Sequence, residues 1–238
     1  MTISSAADPS AVALFDESAA RPVTYGQLAE LVDQTRRTLS TLPRPALAFQ
    51  FCGNSVAAVV TYLACRAAGL PLGLGEPAES PRSRVIDVYR PTAVILPTSE
   101  AAPADYRKIA DLVDGTLALW LRTDGAYPVK PYEDLSLLLS TSGSTGDPKC
   151  VRLTARNLDS NAHSIGQYLG LGAGENAILS LPMHYSYGLS VLNSHLAAGA
   201  TVTLTKHSFM RPEFWKTVDE CACTSFAGVP YMYETLAR

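Results

Sequence analysis

The sequence is short of charge, and it lacks the features that mark a membrane protein, a polyanion binder or a disulfide-built secreted domain. Only 17% of its 238 residues are charged, and 19 lysines and arginines against 22 acidic residues leave a formal charge of −3. The basic residues are scattered and form no run, so nothing in the charge pattern calls for nucleic acid or an acidic membrane surface as a partner. No apolar stretch approaches the length needed to cross a bilayer. The start, Met1 to Ser10, has no basic segment followed by an apolar one and does not read as a secretory signal. The five cysteines (Cys52, Cys65, Cys150, Cys221, Cys223) are odd in number, without disulfide-framework or Cys-x-x-Cys spacing. Cys221 and Cys223 would share one face of a strand, but no nearby histidine or second cysteine pair completes a metal site. Reduced thiols in the core of a cytoplasmic protein are the expectation.

What is present is a globular composition, 47% hydrophobic, on a chain long enough for one large domain or two small ones. Its organisation is alternation. Thr24 and Gln27 have the form of a capping box, followed by Leu28, Leu31, Val32, Thr35 and Leu39 at helical spacing. Ala46 to Cys52 reads as a short buried strand, and Asn54 or Ser55 as the cap of a second helix that ends at Gly69. A helix starts at Ser80-Pro81, and a β-branched strand runs from Thr92 to Leu96. A helix near Pro103 to Val113 and a strand near Thr116 to Leu121 come next. Residues 125–133 read as a connector.

Beyond the connector come strands over 135–139 and 150–153, a helix to Leu169, and further strands and helices to Ala237. This pattern predicts a layered α/β/α architecture with largely parallel sheets. It divides into a first lobe over residues 1–130 and a second over 131–238. There is no internal repeat and no low-complexity tract. Glu234 to Arg238 lies inside a helical pattern without a capping glycine, so the second lobe reads as incomplete at its C-terminal end.

One segment carries chemistry. Ser140-Thr-Ser-Gly-Ser-Thr-Gly-Asp-Pro-Lys149 gathers hydroxyls, two glycines and a lysine directly after a strand. Gly143 and Gly146 let successive amide N–H groups turn toward one anion. The hydroxyls of Thr141, Ser142, Ser144 and Thr145 donate further, and Lys149 brings a mobile positive charge. Composition alone favours a flexible surface loop. A Walker loop is excluded, because only two residues separate Gly143 from Gly146 and no Lys-Ser/Thr pair comes after them.

The order of residues decides between these readings. Thr141 to Lys149 resembles the signature of the adenylate-forming superfamily, which includes acyl- and aryl-CoA synthetases, luciferases and the adenylation domains of nonribosomal peptide synthetases. Val23-Thr-Tyr-Gly-Gln-Leu28, Leu63-Ala-Cys-Arg-Ala-Ala-Gly-Leu70, Leu181-Pro-Met-His-Tyr-Ser-Tyr-Gly188 and Gly228-Val-Pro230 resemble further segments of that family. The resemblance runs from about residue 11 onward.

It implies a ligase that joins a carboxylic acid to ATP with Mg²⁺, forms an acyl-adenylate, releases pyrophosphate and passes the acyl group to CoA or an acyl-carrier protein. Thr141, Ser142, Gly143, Ser144, Thr145, Gly146 and Lys149 then hold phosphate, with Thr145 also near the metal and Lys149 assisting. His184 orients the carboxylate, and Tyr185, Tyr187 and Gly188, with Leu189, border the acid. Peptide-synthetase relatives place an aspartate where Gly188 stands, so the resemblance favours a fatty or aromatic acid over an α-amino acid. His163, His195 and His207 have no such context and read as ordinary core or surface residues.

The family's Tyr-Gly-x-Thr-Glu segment, its ribose-binding aspartate and its adenylation lysine have no counterpart in the 238 residues. Three readings therefore stand: an N-terminal part that is inactive alone, one half of a split enzyme needing a second chain, or a non-catalytic relative that binds a ligand or partner.

Overall fold

The capping box closes as its spacing predicts: Thr24 N–H donates to Gln27 Oε1 at 3.0 Å, and Gln27 N–H donates back to Thr24 Oγ1 at 3.2 Å. The protein, a computed structural model, is described over residues 7–18, 21–125, 131–140 and 148–237. In chain order the first elements are β1 (Val12–Asp16), β2 (Arg21–Thr24), α1 (Tyr25–Leu39), β3 (Ala48–Gln50), α2 (Val56–Ala67), β4 (Leu72–Leu74) and α3 (Glu79–Tyr89). After them come β5 (Ala93–Pro97), β6 (Tyr106–Leu112), β7 (Leu117–Arg122), β8 (Leu135–Ser140), β9 (Cys150–Thr154) and α4 (Ala155–Leu169). The last are β10 (Asn176–Leu179), α5 (Ser186–Ala198), β11 (Thr201–Leu204), α6 (Pro212–Glu220), β12 (Ser225–Phe226) and α7 (Pro230–Leu236).

The chain divides into two compact units interleaved in sequence. One comprises residues 1–28, 54–56 and 158–238, the other 29–53 and 57–157. The first unit holds a five-stranded sheet in the order β12-β10-β11-β1-β2, parallel except for the β1–β2 hairpin. Its core gathers Ile178, Phe209, Phe214 and Met232, with Phe226 edge-on to Phe214 at 5.4 Å. Buried Tyr25 donates its hydroxyl to Ala200 O at 2.7 Å, so the tyrosine after the capping threonine is a structural anchor. The β1–β2 hairpin has no counterpart among the strands expected from sequence. Its partner strand β11 lies far along the chain, with Leu14 opposite Val202.

The second unit holds a seven-stranded sheet in the order β6-β7-β5-β3-β4-β8-β9. Its centre, β5-β3-β4-β8, is parallel, and both margins are antiparallel. The largely parallel α/β architecture therefore holds, but the helix expected near Pro103 to Val113 is instead strand β6. Tyr106 and Leu112 face inward at its two ends, and the strand folds back on β7 through Val113 (φ 49°), Asp114 (φ 53°) and Gly115 (φ 79°). Asp114-Gly115 between apolar runs is a hairpin signal, and it outweighs the local helical spacing.

At the centre, Phe49 on β3 lies opposite Gly73 on β4, and Phe49 and Phe51 stack 5.8 Å apart. A Cβ on Gly73 would stand 2.2 Å from the Phe49 ring, and one on Gly75 2.3 Å from Phe51. The glycines are cut-outs for the two rings. Gly73→Ala is expected to cost about 1–3 kcal/mol in urea unfolding, the range for overpacking a full core. Gly53→Ala, with nothing within 4 Å of its added methyl, should stay within about 0.5 kcal/mol.

Candidate functional site

The serine-rich segment connects the paired ends of β8 and β9. Leu139 lies opposite Val151 and Ser140 opposite Cys150 in antiparallel register. β4 in turn pairs parallel with β8, Leu74 opposite Leu139, so this connection leaves the C-terminal end of the parallel core. That is where α/β sheets carry ligands. The element after the segment is strand β9 and not a helix, which separates it physically from the Walker arrangement with its helix N-terminus.

Residues 141–147, and with them Thr141, Ser142, Gly143, Ser144, Thr145 and Gly146, lie outside the described residues. At the exit, Pro148 is half-buried and Lys149 is exposed, immediately before β9. Beside it, Cys150 and Tyr89 share a hydrogen bond, and burial pushes the tyrosine hydroxyl up to about 12. Burial also raises the Cys150 thiol. Cys52 and Cys65, in the core, are pushed to about 12, so none of these three thiols is an activated nucleophile.

The second expected group is the turn between β10 and α5, in the other unit. Its alternation of buried and exposed positions sorts the predicted residues. Met183, Gly188 and Leu189 are buried, His184 is half-buried, and Tyr185 and Tyr187 are 47% and 40% exposed. Leu189 therefore belongs to the core face of α5, while the two tyrosines stand outward on either side of Ser186. Gly188 is required by packing: a Cβ there would lie 2.4 Å from Pro182 O and 2.6 Å from Leu181 O. No side chain, an aspartate included, fits at that position with the turn as it stands. Lys149 and His184 belong to different units.

Two residues that hold this region carry no local signal in the sequence. Asn54, one of the two candidate caps of α2 beside Ser55, sends its amide elsewhere: Nδ2 donates to Leu179 O (3.2 Å) and Leu181 O (3.0 Å), and Oδ1 accepts from Met183 N–H (2.9 Å). The first N–H of α2, on Val56, donates at 3.4 Å to Oδ2 of buried Asp16. The other oxygen of Asp16 accepts from the backbone and hydroxyl of Ser18. These contacts cross 125 to 129 residues for Asn54 and 40 for Asp16, beyond the reach of any local pattern.

Among the described residues no group of three His, Cys, Asp or Glu side chains is placed to hold a metal ion, and no helix is long and apolar enough to cross a membrane. Two of the other histidines have structural partners. Exposed His207 lies 3.5 Å from Glu17 Oε1. Buried His195 places Nδ1 2.8 Å from Val191 O, which can only accept, so Nδ1 carries the proton and Nε2 faces the Ser225 hydroxyl at 3.4 Å. Burial lowers its pKa from 6.5, so the unfolded chain takes up a proton before the folded one. Stability should be level in this respect above about pH 6.5 and fall as pH drops toward the lowered folded value. Denaturant unfolding across pH 5–8 should show that decline in the parent protein and a flatter profile in His195→Gln.

The AMP-binding enzyme family matches residues 2–238. A probable CoA ligase, CCL9, of Humulus lupulus is 29% identical over 237 residues, covering 90% of this chain and 45% of its own. Two solved structures share the fold. ATP-bound MatB of Rhodopseudomonas palustris has a TM-score of 0.75 at 22% identity, covering 97% of this chain and 48% of its own. The o-succinylbenzoate CoA synthetase MenE of Bacillus subtilis, in complex with the acyl-adenylate OSB-AMP, has a TM-score of 0.74 at 20% identity, covering 96% and 61%. The chain thus spans about half the length of the curated relative and of MatB. A family match over essentially all 238 residues, on a fold shared with adenylate-forming enzymes, shows that this chain belongs to the AMP-binding enzyme family.

Proposed function

We propose that this chain is the N-terminal part of a ligase that activates a carboxylic acid with ATP and transfers the acyl group to the thiol of CoA or of an acyl-carrier protein. The observation that carries the reading is the hydroxyl- and glycine-rich segment Ser140 to Lys149, set between β8 and β9 at the C-terminal end of the parallel core. MatB was solved with ATP and MenE with an acyl-adenylate, and both states fit that reading.

In the proposed reaction a carboxylate oxygen attacks the α-phosphorus of ATP, the bond from that phosphorus to the bridging oxygen breaks, and pyrophosphate leaves. A thiol then attacks the acyl carbon, its proton passes to solvent, and AMP departs with the electrons of the C–O bond. The first step needs orientation and charge neutralisation more than covalent help. Backbone N–H groups around Gly143 and Gly146 and the hydroxyls of Thr141, Ser142, Ser144 and Thr145 grip the β- and γ-phosphates, and Lys149 adds a positive charge at the exit.

Mg²⁺ suits a site of this composition, since it is commonly held through substrate phosphates and few protein oxygens. Thr145 would be the protein residue that holds it, and the ion would supply charge neutralisation at the phosphates. His184 orients the carboxylate, with Tyr185 and Tyr187 beside the acyl group. Because Gly188 admits no side chain, no carboxylate stands there to hold an α-amine, and a fatty or aromatic acid is the expected substrate.

Calorimetric titration with MgATP tests the phosphate site. Lys149→Ala should weaken ATP about tenfold, or about 1.4 kcal/mol, and leave adenosine unchanged. ATP binding no tighter than adenosine, and indifferent to Lys149→Ala, would overturn the assignment. Acid-dependent ATP–pyrophosphate exchange tests the chemistry. The 238 residues alone should give none, whereas a polypeptide spanning the relatives' full length should exchange with fatty or aromatic acids and not with amino acids. Binding of ATP without exchange in the longer polypeptide, for every acid, would favour a non-catalytic binding module.

A further inference from the structure

We infer that Asn54 is a positioning residue for the carboxylate-recognising turn, acting with Gly188 to fix the backbone that presents His184. This rests on the proposed role of Pro182 to Gly188 in binding the acid.

Strand β10 ends at Leu179, and among the described residues its backbone has no ladder partner past that point. Unpaired backbone groups there would carry a full desolvation cost wherever water is excluded. The Asn54 amide answers three of them at once, with two N–H donors to Leu179 O and Leu181 O and one acceptor for Met183 N–H. Among short side chains only an amide offers two donors and an acceptor at one end. Aspartate has no donor when ionised, and serine has one. Nor is the amide spent on α2, whose first N–H reaches Asp16.

The same turn also packs against Gly188, where a Cβ would lie within 2.6 Å of both the Leu181 and the Pro182 carbonyl oxygens. Tyr185 N–H, from beyond the histidine, donates back to Pro182 O at 3.0 Å. The backbone of Leu181 and Pro182 is thus held by the Asn54 amide and packed against a bare Cα. Met183, next to His184, is tied through its N–H to Asn54 and buries its side chain to 1% exposure. A residue gripped this way cannot move by an ångström without carrying the imidazole with it, and such displacements in a reacting site cost up to about 10²-fold.

The test uses Asn54→Ala, Asn54→Asp and Gly188→Ala in the 238-residue chain, with two readouts. In NMR, Asn54→Ala should speed exchange of the Met183 amide at least tenfold and shift the His184 imidazole resonances. Asn54→Asp, which keeps the acceptor, should retain part of the Met183 protection. Gly188→Ala should shift the same resonances by pushing on the Leu181 and Pro182 carbonyls. In calorimetry, a non-reactive benzoyl- or octanoyl-sulfamoyl adenosine should bind Asn54→Ala at least tenfold more weakly, with MgATP affinity unchanged.

Folded Asn54→Ala protein with unshifted His184 resonances and parental affinity for the sulfamoyl adenosine would overturn the inference. Should Asn54→Ala fail to fold, the same outcome in Asn54→Asp and Gly188→Ala would do so. A parent chain that binds neither sulfamoyl adenosine would instead count against the proposed function, and the NMR readout would still decide the role of Asn54.

Discussion

A strand that outlasts its ladder must find other partners for its backbone, and in the first unit those partners are side chains from distant parts of the sequence. Asn54 serves the exit of β10, Tyr25 serves the carbonyl of Ala200 before β11, and Thr201 Oγ1 donates to Val12 O. Each bond is worth about 1 kcal/mol net, but an unmade one at a buried position costs more than a made one contributes. Of these, the Asn54 bonds are the ones that hold the backbone of the turn after β10, two of them before His184 and one at its neighbour Met183.

The helices and the parallel strands are legible in the sequence because their signals are local. The Thr24–Gln27 box, the spacing from Leu28 to Leu39 and the apolar run before Ser140 each sit within one element. Strand β6 passes for a helix on its local spacing, and its state is settled by pairing with β7 through an Asp-Gly turn. The hairpin β1–β2 escapes for a related reason: its strand identity comes from β11, reached across most of the first unit.

The candidate site divides along the same line. Residue order alone singles out Ser140 to Lys149 and the His184 turn. The part played by Asn54 is invisible there, because a Gly-Asn pair before a helix has an ordinary local explanation as a cap. Gly188 is noticeable for the side chain it lacks. Its physical reason, two carbonyl oxygens under 3 Å from any Cβ, exists only in three dimensions.

The interlock of Phe49 with Gly73 has an implication for how this chain can vary. Ring and cut-out occupy one shared volume, so neither position can drift alone: a larger residue at 73 needs a smaller one at 49, and a smaller one at 49 leaves a void that 73 must fill. Phe51 and Gly75 repeat the arrangement two residues on. The two strands therefore behave as a pair of matched dies. Relatives that have lost the glycines should be found to have traded away the aromatic rings as well.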